Sequence, residues 1–158
     1  MIRKEMNEYR NKYRRIVDKL IGKSFPGLKG AVRVFELKFT KLYGVYIPWF
    51  NLVGVNKLCR DFPEKEIKGI LAHELSHAEY FKDFGFFNSL WFFIRYWFSP
   101  KLRKDEEDRA DRATIDKGYA RELVLSASRL EKLYPKYKDK TYMSIKKIKS
   151  YAKKVRKW

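Results

Sequence analysis

His73-Glu74-Leu75-Ser76-His77 sets two imidazoles four residues apart, with a carboxylate directly after the first. On a helix that spacing puts both rings on one face, a turn apart, where they can reach a single metal ion. Glu74 sits about 100° round the axis from His73. From there its carboxylate can reach a water on the metal instead of the metal itself, as a general base requires. Two neutral imidazoles and one carboxylate suit zinc and leave a fourth position for water. The metal would lower that water's pKa and polarise a peptide carbonyl. These are the only two histidines in the chain. The plainer alternative is a helix whose histidines merely cap a buried face.

A third protein ligand is needed, and no third histidine exists. That removes the metzincin pattern, which wants Gly at 80 and His at 83, where this chain has Tyr80 and Asp83. It equally removes DNA-linked metallopeptidases that use a third histidine. The carboxylates on offer are Glu79, Asp83, Asp105, Glu106, Glu107, Asp108 and Asp111. Glu107 stands out because Asp111 follows one helical turn later. One acid can then bind metal while the other accepts a hydrogen bond from a ligand imidazole and fixes its tautomer. Ala110 and Ala113 are small enough to let this helix pack closely on the His73–His77 helix. A solvated charge run is the competing reading of these acids.

The elements that must carry these residues can be read from punctuation and periodicity. Ile2, Met6, Tyr9, Tyr13, Ile16 and Leu20 form the stripe of an amphipathic helix, broken by Gly22, Pro26, Gly27 and Gly30. Ala31 to Phe39 alternates as a strand, with a parity shift at Val34–Phe35 that implies a bulge or two-sided burial. Gly44 to Ile47 and Leu52 to Asn56 read as two further strands. Asp61, with Glu64 three positions on and Pro63 in the first turn, caps the next helix, whose stripe is Ile67, Ile70, Leu71, Leu75 and Ala78. A helix over Asp105–Lys117 closes at Gly118. Leu123, Ala127, Leu130 and Tyr134 mark another, stopped by Pro135. Ile145, Ile148, Tyr151, Ala152 and Val155 mark the last. The expected class is α+β: a small mixed or antiparallel sheet packed on the His-Glu helix and the glutamate helix, with amphipathic helices at both ends. One domain is the simplest parse, with a basic N-terminal helix over 1–23, a catalytic core over 24–134 and a basic tail over 135–158.

His73-Glu74-x-x-His77 followed by Glu107-x-x-Ala110-Asp111 resembles the gluzincin zinc metallopeptidases. It is most similar to small soluble archaeal minigluzincins and to the catalytic domains of heat-shock-type and CAAX-type membrane peptidases, over about residues 50–134. The resemblance implies one zinc per chain held by His73, His77 and Glu107, with Glu74 as base and Asp111 supporting His73. It also implies a sheet whose edge strand holds an extended peptide by strand addition, and Leu52–Asn56 is the candidate edge. Many gluzincins stabilise the oxyanion with a downstream histidine, which this chain lacks. Tyr119, Arg121 and Arg129 are the alternatives. The stretch between His77 and Glu107 is also long for a minimal domain.

That stretch contains Phe84 to Ile94, a run without charge, bounded by Lys82, Asp83 and Arg95. It is too short to span a bilayer. Its aromatic residues suit either an interfacial membrane contact or an ordinary hairpin on the core. The chain holds 37 Lys and Arg against 19 Asp and Glu, a net of +18. The ends carry most of it: +5 over residues 1–23 and +9 over 135–158, leaving +4 between. The tail's lysines suit polyanion contact as well as plain solvation. One cysteine allows no internal disulfide, and the charged opening residues give no reason to expect a signal peptide. A cytoplasmic protein, or one peripheral to a membrane, is expected. The absence of glutamine fits a heat-loving source. The reading that follows is a zinc-dependent endopeptidase acting on peptides or proteins. Its rival is a basic nucleic-acid-binding or regulatory protein on the same scaffold, with little or no catalysis.

Overall fold

A computed structural model describes residues 2–38, 42–133 and 141–158, and the side chains from residue 8 onward. The expectations for Phe39, Tyr134, Pro135 and the side chains of Ile2 and Met6 lie outside the described residues. Among the described residues the architecture is α+β: six helices and a three-stranded mixed sheet.

Helix α1 (Ile2–Ser24) buries Tyr13, Ile16, Val17 and Leu20 against the sheet and the helix that carries the histidines. The sheet runs β1 (Arg33–Leu37), β3 (Leu52–Asn56), β2 (Gly44–Ile47), with β1 parallel and β2 antiparallel to β3. The pairing of β1 with β3 is continuous from Arg33–Leu52 to Leu37–Asn56, so the parity shift is two-sided burial and not a bulge. Val34 faces the core. Phe35 and Leu37 cover Gly54 on the other face, where any Cβ would meet the Phe35 ring. Glu36 takes a bidentate pair from Arg60 at 2.7 Å.

Leu52–Asn56 is therefore the central strand, not the edge. Val53 and Val55 are fully buried and Gly54 lies under Phe35, so this is the strand that suits two neighbours. The edge beside the histidines is β2.

Helix α2 (Glu64–Phe81) starts two residues later than the acid cap at Asp61 suggests. Pro63, in an extended conformation, is its N-cap, and Glu64 and Glu66 supply negative charge to its first turn. The aromatic tract forms helix α3 (Gly85–Phe98), not a hairpin. Ser99 ends it and caps α4 (Pro100–Asp116), its hydroxyl accepting from the Leu102 amide. Helix α4 thus begins five residues before the expected Asp105. Gly118, at φ +89°, closes it as expected. Helices α5 (Ala120–Leu133) and α6 (Ile145–Lys154) follow. A second apolar cluster, Ile115, Ala120, Leu123, Met143, Ile148 and Ala152, joins α4, α5 and α6.

Candidate metal centre

Helix α2 runs through the interior, with every residue from Gly69 to Ala78 buried. Two close approaches fix it. Gly69 lies so near the Glu122 carbonyl of α5 that a Cβ would collide with it. On the α4 side, Ser76 and Thr114 share a hydroxyl hydrogen bond of 2.9 Å over buried Ala110, while Ala113 is only half-buried. The contact therefore uses Ala110 as expected, with Thr114 in place of Ala113.

Across this contact the two motifs meet. His73 Nε2 lies 3.0 Å from Glu107 Oε2 and 3.1 Å from His77 Nε2. The His77 Nε2 to Glu107 Oε2 distance is 3.5 Å. Four-coordinate zinc, with donors about 2.0–2.1 Å away, spaces its ligand atoms about 3.3 Å apart. The three separations bracket that value.

Each imidazole is also held from behind. His73 Nδ1 is 2.9 Å from Asp111 Oδ1, and His77 Nδ1 is 3.0 Å from Glu106 Oε1. A neutral ring that donates from Nδ1 presents a lone pair at Nε2. Two such lone pairs then face each other and the Glu107 oxygen, an arrangement a cation resolves. The same excess of negative charge acts on protonation. Burial opposes a charged His77, yet the Glu107 charge and the carboxylate hydrogen bonds outweigh it and push the ring up to about 9. His73 is raised well above its usual range against the same opposition, by Asp111 and Glu107. Burial would raise Glu107, but the two histidines hold it well below the usual carboxylate range. His73, His77 and Glu107 thus form a buried group that could hold a metal ion.

Glu74 is buried beside them, and burial pushes its carboxyl up. Gly44, at the start of β2, lies against that carboxylate so closely that a Cβ would collide with it. A cavity of about 500 Å³ opens here, lined in part by Gly44, His73, Glu74, Leu123, Leu130 and Met143. The segment before α6 forms one wall. The Met143 amide donates to Asp111 Oδ2 at 2.9 Å, and the Tyr142 ring packs on His73 at 5.6 Å between centroids.

No family model, curated protein or solved structure matches the chain.

The other candidate acids are elsewhere. Glu79 pairs with Lys117, Asp108 with Lys104, and Asp83 and Asp105 are exposed. The three expected oxyanion donors are elsewhere too. Tyr119 shares a hydrogen bond of 2.8 Å with Ser24, Arg129 pairs with Glu66, and Arg121 is on the exposed face of α5. On α5 it is Leu123 and Leu130, and not Arg121 or Arg129, that line the cavity beside His73.

Tyr96 was not anticipated from the sequence, and Glu106 was weighed there only as a possible ligand. Tyr96, from α3, donates to Glu107 Oε1 at 2.6 Å. Glu106, one of several acids, becomes the partner of His77 and is itself gripped by Arg109 at 2.6 and 2.8 Å. Glu106 and Arg109 at i and i+3 were a visible pair; nothing local marks Tyr96.

Proposed function

We propose that the protein is a zinc-dependent endopeptidase of gluzincin type. The observation that supports this most directly is the convergence of three metal-ligating atoms on α2 and α4 beside a separate buried acid, Glu74. Zinc held by His73, His77 and Glu107 would lower the pKa of a water and polarise a peptide carbonyl.

Glu74 accepts the proton of the attacking water and passes it to the leaving amine. Its buried setting favours the protonated form more than an exposed carboxylate would, which suits both halves of that transfer. Asp111 and Glu106 hold the two imidazoles in the tautomer that offers Nε2. Tyr96 takes the part first given to Tyr119, Arg121 or Arg129: its hydroxyl, now on Glu107, turns to the oxygen on which charge develops. The substrate extends the sheet along the outer edge of β2, and the adjoining cavity receives one of its side chains.

The test compares wild type with Glu74→Gln and Glu107→Ala. Wild type should bind one zinc per chain and cleave an unfolded protein such as casein. Glu74→Gln should keep its zinc and lose cleavage, and Glu107→Ala should lose zinc. Undiminished cleavage by Glu74→Gln would overturn the mechanism; zinc-loaded wild type that cleaves nothing would overturn the activity.

A further inference from the structure

Helix α3 has two apolar faces, and only one of them is used. Its inner side carries buried Ser89 with Phe92, Phe93 and Tyr96, which pack on Phe81 and Trp49 and reach Glu107. The opposite side carries Phe86, Phe87, Leu90, Trp91, Ile94, Trp97 and Phe98. Phe87 is 82% exposed, Phe98 80%, Trp97 75% and Trp91 63%. With Phe86 at 59%, these five rings alone present about 700 Å², taking roughly 200 Å² for a full aromatic side chain. The largest apolar patch on an ordinary monomer is about 300–600 Å². A surface helix normally turns polar residues outward; this one does not.

Charge says what covers the patch. Around α3, Lys82 pairs with Asp83 and Lys104 with Asp108, which leaves Arg95, Lys101 and Arg103 against the exposed Asp105. Arg95 and Lys101 are exposed beside the rings. A second copy of the same face would bring like charges together across the contact, whereas an anionic bilayer complements them. Tryptophan is the side chain that settles best at headgroup depth. Among the described residues no helix is long and apolar enough to cross a membrane, so contact would be at the surface.

We propose that the outer face of α3 is a docking surface for an anionic lipid bilayer. The helix lies in the interfacial plane with Phe87, Trp91, Ile94 and Phe98 toward the acyl chains and Arg95 and Lys101 at the headgroups. This stands apart from the peptidase reading, because it uses none of the residues that line the metal centre.

The full chain is tested by flotation with vesicles of phosphatidylcholine alone and of equal parts phosphatidylcholine and phosphatidylglycerol. Wild type should float with the anionic vesicles, with tryptophan emission moving to the blue, and should stay behind with the neutral ones. The double variant Phe87→Ser/Trp91→Ser removes only exposed rings. It should keep its thermal transition and lose affinity by about tenfold or more for each ring. Equal flotation of the variant would overturn the proposal, as would wild type that never floats at low salt. A dimer in solution that the double variant dissociates, with no flotation, would also overturn it and assign the face to self-association.

Discussion

Glu106 Oε1 lies 3.0 Å from His77 Nδ1, and Arg109 grips the same carboxylate through two nitrogens. The second histidine of the motif therefore has an acid behind it, as the first has Asp111. Arg109 is in turn seated on the Tyr80 ring, its guanidinium carbon 3.8 Å from the centroid. This chain from Tyr80 to His77 begins and ends on one helix face, one turn apart, and passes through α4 between. Glu106→Ala should weaken zinc binding about 10–100-fold, measured by competition with a chelator. Glu106→Gln, which keeps a hydrogen-bond acceptor for Nδ1, should recover part of that loss. Equal affinities for both variants and wild type would show that the contact is structural only.

Tyr96 can brace Glu107, stabilise the reaction's developing charge, or do both, and one substitution separates these roles. Tyr96→Phe should keep its zinc and lower kcat by about a hundredfold, the scale of removing one oxyanion donor. If the hydroxyl only braces the ligand, zinc affinity falls and kcat at saturating zinc is unchanged.

Gly44 opens β2 against the Glu74 carboxylate, where a Cβ has no room. Gly44→Ala should displace the acid and sharply reduce cleavage while zinc content stays at the wild-type level. Overpacking of this kind costs about 1–3 kcal/mol, so the thermal transition should move down as well. Full activity in this variant would mean that the strand yields more readily than the acid.

Metal uptake should depend on pH in a defined direction. Without metal, His77 keeps a proton up to about 9, because Glu107 and the carboxylate hydrogen bonds outweigh burial. Zinc takes only the neutral ring, so below that value binding must expel a proton. Apparent affinity should therefore rise with pH, by about tenfold per unit for each proton displaced, and the slope should ease near about 9, where His77 gives up its proton. A flat profile at lower pH would show that the histidines are already neutral.

The motif residues were legible because helix geometry converts spacing into distance. Four residues separate His73 and His77, and four separate Glu107 and Asp111, so each pair was bound to share a face wherever the helices went. The order of the strands was not legible. Short strands separated by a Pro-Trp-Phe-Asn turn suggest a hairpin meander, and β2 with β3 is one. The parallel pairing of β1 with β3 depends on Gly54 making room for Phe35, which no local pattern announces. Tyr96 was hidden for a related reason. Its hydroxyl reaches Glu107 because α3 folds back on α4 at Ser99-Pro100, and among so many aromatic residues it looked like one more apolar side chain.

Asp111 gives one oxygen to His73 and the other to the amide of Met143. A single carboxylate is thus the shared fulcrum of His73 and of the segment that leads into α6. Loading the centre with metal and seating the last helix would consequently be linked equilibria. Whatever factor by which one strengthens the other must act equally in reverse. Helix α6, which in the sequence looks like an appendage, would be a thermodynamic partner of any ion held there.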